Sequence, residues 1–263
     1  MPPAPSLEEQ VDALHRGVGV LDLAGWHLVR VSGGDAERWM NDLVTANVAA
    51  LPAEGSVRSL LLGPTGRIRA DLHVHRREDD FVLLQSPGQP KTIDELLEPY
   101  ILSSDVALER TAAPLAVLPR PGPDWVVALH PTEGVVPVGP VAFESWRITL
   151  AIARFPTDLD EHSLPAEAGL DEAPVVDRSK GCYLGQESVA KVRNLGHPTR
   201  LVVALEAAEP VATGGVVIAD AGPVGVLTSV DPGGGGRLAI ARIRWEARHA
   251  ALVTDDGVPL ARR

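Results

Sequence analysis

Apolar residues recur along the chain first at helical and then at strand spacing. Residues 6–15 carry Leu7, Val11 and Leu14 behind Glu8 and Glu9, which predicts a short amphipathic helix. Strand-like runs follow at 18–23 and 27–31. The Gly33-Gly34 pair then leads into 36–44, where Trp39, Met40 and Leu43 share one side. No Walker or dinucleotide spacing surrounds that pair, so it is a helix-entry turn rather than a phosphate loop. From 57 to 86 the pattern changes to strands. Runs at 57–62, 67–75 and 81–85, joined by Gly63-Pro-Thr-Gly66 and Glu78-Asp-Asp80, predict an antiparallel meander. Helical spacing resumes over 89–102, and strands are expected at 106–109, 115–118 and 125–129 around a Pro-rich turn at 119–123. Residues 147–153 read as a further strand, and 163–169 as a short helix closed by Gly169.

The last part of the chain changes character. Short runs at 201–205, 216–218, 224–230, 238–245 and 251–253, separated by Gly and Pro turns, predict a small antiparallel β-barrel. The Gly233–Gly236 run reads as a flexible hairpin tip. A boundary near Gly196-His-Pro198 divides an α+β body, 1–196, from the barrel, 197–263.

Composition narrows the function. The 263 residues carry a formal charge of −11, which argues against broad binding to nucleic acid. One cysteine excludes an internal disulfide and a multi-cysteine zinc site. The acidic start MPPAPSLEEQ lacks the features of a secretory signal, and no apolar run has the length of a membrane span, so a cytoplasmic protein with a reduced thiol is expected.

The densest candidate for chemistry is Lys180-Gly-Cys-Tyr-Leu-Gly-Gln-Glu187. Gly181 and Gly185 bracket Cys182, and 186–194 has helical spacing, so the thiol would sit just before a helix N-terminus. There the helix dipole, with Arg178, Lys180, Lys191 and Arg193 nearby, favours thiolate. Only three of the 24 basic residues are lysines, and two of them flank this cysteine. Two readings of Cys182 stand: a reactive thiol, or a small buried core residue. A second candidate is Arg69-Ala-Asp-Leu-His-Val-His75, where strand alternation puts Asp71, His73 and His75 on one face, toward a metal, a ligand cavity or solvent. No Gly-x-Ser-x-Gly elbow supports a hydrolase. Arg242, Arg244 and Arg248 read as a basic strand edge or as ordinary solvated residues.

The motif at 180–187 resembles the signature of the YgfZ-type folate-binding proteins, relatives of the glycine-cleavage T-protein (aminomethyltransferase) that serve iron–sulfur proteins and, through them, tRNA modification. Further matches, in the superfamily's order, are Arg30-Val-Ser-Gly-Gly-Asp-Ala36, Asn41-Asp-Leu-Val-Thr-Ala-Asn47, Gly66-Arg-Ile-Arg-Ala-Asp71, Leu164-Pro-Ala-Glu167 and Val224-Gly-Val-Leu-Thr-Ser229. The resemblance implies a GcvT-like α+β body of two intertwined lobes around a folate site, followed by a small barrel. It also implies tetrahydrofolate, or a reduced one-carbon folate, as cofactor and iron–sulfur client enzymes or assembly proteins as partners. Cys182 takes the place of the catalytic cysteine. Lys180, Gly181, Tyr183, Gly185, Gln186 and Glu187 complete the motif, and Asp71 and Arg147 are the further folate-facing positions. Arg147-Ile-Thr149 stands where the superfamily reads Arg-x-Glu, so Thr149 replaces an acid expected to meet the pterin, and 191–196 also departs from the usual Arg-rich run. Aminomethyl transfer to tetrahydrofolate and a non-catalytic folate-binding module are the alternatives.

Overall fold

The structure, a computed structural model, describes residues 4–111, 116–118, 126–128, 134–220 and 222–263. Helix α1 (Leu7–His15) opens the chain as its spacing predicts. Ser6 accepts from the Glu9 amide while the Glu9 carboxylate accepts from the Ser6 amide, closing a capping box. Strands β1 (Gly19–Asp22) and β2 (His27–Ser32) precede α2 (Ala36–Leu43), the meander β3 (Ser56–Leu62), β4 (Ile68–Arg76) and β5 (Phe81–Gln85), and α3 (Ile93–Leu97). Then come β6 (Ala107–Arg110), β7 (Ala116–Leu118), β8 (Val126–Ala128), β9 (Val136–Val138), α4 (Pro140–Thr149) and α5 (Gln186–Leu195). The chain closes with β10 (Arg200–Ala207), β11 (Val216–Ala219), β12 (Gly222–Val230), β13 (Leu238–Arg244), β14 (Leu252–Thr254) and β15 (Pro259–Arg262).

The two sheets of the body are intertwined. Strand β1 lies in a four-stranded sheet of order β8-β7-β1-β9; the chain then crosses to build a five-stranded sheet, β3-β4-β5-β2-β6, before returning to complete the first. Both faces of the larger sheet are covered, as the alternation along β5 shows. Phe81 and Leu83 pack with Trp39, Met40 and Ile93 of α2 and α3, whereas Val82 and Leu84 pack with Leu14 of α1 and Trp146 of α4. A third core joins Leu60 and Leu62 to Phe155, Val176, Tyr183 and Val189. The C-terminal strands form a closed barrel of order β10-β13-β12-β11-β14-β15 around Leu205, Val217, Leu227, Ile243 and Leu260. The fold is thus the expected α+β body followed by an antiparallel barrel.

Four local expectations change. Residues 147–153 do not form a strand: Gly139 is extended, Pro140 occupies the first helical position, and Ala142, Phe143 and Trp146 turn a buried face of α4 inward. Residues 147–149 are the last turn of that helix, and 150–153 are the chain leaving it. The helix expected over 89–102 contracts to α3 and a 3-10 turn, because Gln89 leaves it to exchange hydrogen bonds with the Asp71 backbone and Pro99 interrupts its end. Strand β15 has the burial pattern of a single inward residue, Leu260, too short an alternation to read, yet it closes the barrel by pairing with β10 and β14. The largely exposed Gly233–Gly236 run is anchored at its first residue, where a Cβ on Gly233 would lie 2.5 Å from Ser145 Oγ and 2.6 Å from a Leu7 methyl. The Pro-rich turn at 119–123 lies outside the described residues.

Polar contacts fasten the barrel to the body. Asp158 is fully buried and accepts from Arg147 of α4 and from Thr228 and Ser229 of β12. Arg242 of β13 donates to Asp160 and Glu167. Removing Asp158 would leave the buried Arg147 with Glu144 as its remaining counter-charge and take the acceptor from the Ser229 hydroxyl, so Asp158→Ala is expected to cost about 3–5 kcal/mol. Urea unfolding reads this as a lower midpoint at unchanged slope.

Candidate functional site

Alternation along β4 places Asp71, His73 and His75 on one face, as the sequence predicts. That face points into the protein rather than to solvent: Asp71 is 9% exposed, His73 3% and His75 1%. Arg58, on β3, meets Asp71 in a two-pronged ion pair, with Nε 3.0 Å from Oδ1 and Nη2 2.6 Å from Oδ2. The same Nη2 donates to the Ala153 carbonyl at 2.8 Å. Among the described residues no group of three His, Cys, Asp or Glu side chains is arranged to hold a metal ion.

Asp71 and Arg58 belong to the wall of a cavity of about 360 Å³. Trp26, Phe143 and Ile152 supply apolar lining, and Glu144 and Arg147 bring charge from α4. Arg147 is buried and saturated: Nε donates to Glu144 at 2.8 Å, Nη1 to Asp158 at 2.8 Å and Nη2 to Ser229 at 2.7 Å. Burial opposes its charge, but Asp158 and Glu144 outweigh that penalty and hold its pKa above the ordinary arginine value.

Thr149 does not line this cavity, and its hydroxyl donates to the Ser145 carbonyl within the helix. An acid does line the cavity from the same helix, five residues before Thr149. Glu144 lines the cavity with one carboxylate oxygen 2.5 Å from Arg154 Nη1 and the other on Arg147. Glu144 was not anticipated because 140–149 was not read as a helix. Helical spacing puts positions 144 and 147 on one face.

The motif at 180–187 lies elsewhere. Asp71 and Arg147 line the cavity, whereas Lys180, Gly181, Cys182, Tyr183, Gly185, Gln186 and Glu187 do not. Cys182 is exposed, which excludes the reading as buried core. Its neighbours are anchors. Lys180 turns its ammonium toward the end of α2, donating to the carbonyls of Asn41, Val44 and Ala46, the last two at 2.5 and 2.8 Å. Burial pushes the Lys180 pKa down to about 8, against the pull of Asp177 and Asp42. Tyr183 is 6% exposed within the third core, its ring 5.5 Å from that ammonium. Asp177 shapes the approach by accepting from the amides of Ser179 and Lys180.

Beyond the cysteine, Gly185 adopts φ +82°, and a Cβ there would lie 2.6 Å from the Gly63 carbonyl oxygen. This close approach seats the start of α5, with half-buried Gln186 and exposed Glu187, on the turn between β3 and β4. The expected positive surroundings of the thiol change accordingly. Lys180 is committed to carbonyl groups, and Arg178 to the Asp171 carbonyl and Glu172.

Comparison with known proteins follows this geometry. Residues 3–130 match the family described as the GCVT N-terminal domain. A chloroplastic protein of Arabidopsis thaliana named as a transferase is 25% identical, over 91% of this chain and 68% of its own length. The tRNA-modifying protein YgfZ of Enterobacter sp. (strain 638) is 26% identical, over 67% of this chain and 68% of its own. A mitochondrial iron-sulfur cluster assembly factor IBA57 homolog of Pyricularia oryzae is 22% identical over 68% of this chain, which spans 54% of that relative. The glycine cleavage system aminomethyltransferase T of Bartonella henselae superposes with a TM-score of 0.78 over 100% of this chain and 90% of its own, at 18% identity, a likeness of fold. No helix among the described residues is long and apolar enough to cross a membrane. Relatives named chloroplastic and mitochondrial give the expected cytoplasmic location no support.

Lys180→Met removes three donors from carbonyls at the end of α2 and is expected to cost about 1–3 kcal/mol at pH 7, read by thermal or urea unfolding. The lowered folded pKa also sets a pH dependence. Between about 8 and the ordinary 10.5 the unfolded chain binds the extra proton, so the burial penalty is complete below pH 8 and fades as pH rises. Wild type is therefore expected to gain stability relative to Lys180→Met across that window.

Proposed function

We propose that the chain, which is similar to GCVT-domain proteins and to YgfZ, is a GcvT-like protein of the YgfZ type: a tetrahydrofolate-dependent accessory protein for the assembly or repair of iron–sulfur clusters in client enzymes, with Cys182 as its reactive thiol. The observation that carries this reading is the pairing of two features in one molecule. One is a small-molecule cavity with fixed charged groups, and the other is an exposed cysteine held between Lys180 and Tyr183.

The cavity residues fit a reduced folate. At about 360 Å³ the space falls in the range of roughly 300–1,000 Å³ usual for small-molecule sites. Trp26, Phe143 and Ile152 offer apolar surface to a flat heterocycle, while Glu144 and Asp71 offer carboxylate acceptors to its N–H edge. Both carboxylates are fixed before any ligand arrives, Asp71 by Arg58 and Glu144 by Arg147 and Arg154, so binding spends little entropy on ordering them. When bound, a reduced folate would supply a one-carbon carrier or a two-electron donor.

Cys182 serves a different part of the task. A cluster normally takes four thiolates, so one cysteine cannot scaffold it alone. An exposed single thiol is suited to transient contact with a cluster or sulfur centre whose other ligands belong to a partner. The names of the YgfZ and IBA57 relatives support such partners.

Tetrahydrofolate titrated calorimetrically into the purified protein is expected to bind, and Glu144→Gln to weaken it about tenfold, or ~1.4 kcal/mol. Absence of binding to wild type would remove the cofactor from this account. Separately, Cys182→Ala is expected to keep the wild-type unfolding midpoint yet fail to restore cluster-dependent enzyme activities in a strain lacking the protein. Full restoration by that variant would refute a role for the thiol.

A further inference from the structure

A second cavity, of about 540 Å³, lies where the outer face of the barrel meets the segment after α4. Its wall includes Thr157, Asp158, Asp160, Arg200, Arg242 and Arg244. The basic strand edge expected from Arg242, Arg244 and Arg248 divides here. Arg248 leaves it to lie over the Trp245 ring at 4.7 Å, whereas Arg200 joins it from the neighbouring strand.

Arg200 and Arg244 are direct partners across β10 and β13, and the next pair on that face is Val202 with Arg242. The three arginines are treated differently. Arg242 is 9% exposed and neutralised, 2.5 Å from Asp160 and 2.8 Å from Glu167. Arg200 and Arg244 are exposed, and among the described residues neither has a carboxylate within ion-pair distance. Arg244 donates to the carbonyl of Pro223.

Like charges directly opposite on neighbouring strands destabilise a sheet. This pair stands in a chain with 35 acidic against 24 basic residues, so a neutralising carboxylate was readily available by composition. The acids that do face the groove are engaged: Asp158 by Arg147, Thr228 and Ser229, and Asp160 by Arg242. Thr157 accepts from Arg154, which leaves its hydroxyl proton to donate. The groove therefore carries two uncompensated guanidinium groups and a hydroxyl donor around a volume larger than a bare ion needs.

We propose that this groove binds a small molecule bearing a multivalent oxyanion, either phosphoryl or polycarboxylate, bridged between Arg200 and Arg244. Guanidinium forks match such groups with paired N–H donors, and the ligand's charge removes the repulsion that the empty pair sustains. The site is separate from the cavity assigned to folate and does not rest on that assignment.

The test uses the full chain and two probes, pyrophosphate and citrate, each against sodium chloride at matched ionic strength. One of them is expected to raise the melting temperature saturably, and which one identifies the phosphoryl or the carboxylate source. The double variant Arg200→Ala/Arg244→Ala is expected to lose that shift, to weaken binding at least about tenfold by calorimetry, and to melt no lower than wild type without ligand. Arg200→Lys/Arg244→Lys keeps the charge and is expected to retain part of the affinity. An equal shift in wild type and the alanine variant would identify a general salt effect and overturn the proposal. So would absence of a shift with both probes, or a ligand-free alanine variant melting well below wild type.

Discussion

A guanidinium taken out of water is tolerated only when its N–H groups find acceptors and its charge a counter-charge. Arg147 meets that condition with groups from four parts of the chain. Glu144 comes from its own helix, the Ile152 carbonyl from the loop after it, Asp158 from the irregular segment beyond, and Ser229 from β12 of the barrel. One side chain thereby fixes the cavity wall, the path of the chain leaving α4 and the seat of the barrel. Apolar packing supplies most of the driving force for folding but little orientation. The directional requirement of this buried ion explains why the barrel sits in one place on the body. Asp158 carries the same constraint outward, facing the Arg147 network with one oxygen and the barrel hydroxyls with the other.

The sequence disclosed the elements whose pattern is local. Helix α1 needs only the spacing of Leu7, Val11 and Leu14 behind Glu8 and Glu9, and the meander needs only apolar runs and two turns. Expectation failed where the pattern was shorter than its period or where a distant group decided the outcome. Four residues of β15 cannot display alternation, and its role comes from closing a ring with β10, far away in the chain. Residues 147–153 join the last turn of α4 to the chain leaving it, so their apolar run reads as a strand, and Glu144 comes beside Arg147 only because 140–149 is a helix. Asp71 was identifiable as a candidate from its strand position, which puts it on one face with His73 and His75. Its partner Arg58 was not, because the choice between solvent and interior for that face depends on α4 and the loop after it covering the sheet.

Lys180 illustrates how an accurate observation can acquire a different physical cause. The scarcity of lysine in an arginine-rich chain points to the residues around Cys182, and the structure shows the Lys180 ammonium held by backbone carbonyls. Three carbonyl groups converge at the C-terminal end of α2, where the helix dipole favours a cation. A compact head with three donors on a flexible stem satisfies them, whereas a planar fork would point several N–H groups at nothing. The cost of desolvating that head appears in its lowered pKa. What the arrangement secures is the position of the next residues, since a chain pinned at Lys180 and again at Tyr183 has little freedom at Cys182.

Placement then divides the two candidate chemistries. The motif residues do not line the cavity that Asp71 and Arg147 line, and Cys182 is exposed, so a small molecule enclosed in that cavity does not by itself account for the thiol. On the proposed reading, the cavity selects the cofactor through preset carboxylates, and the thiol is displayed to a macromolecular partner that brings the remaining ligands of a cluster. A buried thiol could serve a small substrate, but a second protein's metal centre can be reached only by a thiol on the surface. The exposure of Cys182 and the rigidity of its flanks meet that requirement together. Rigidity without exposure would describe a core residue, and exposure without rigidity would describe an ordinary loop.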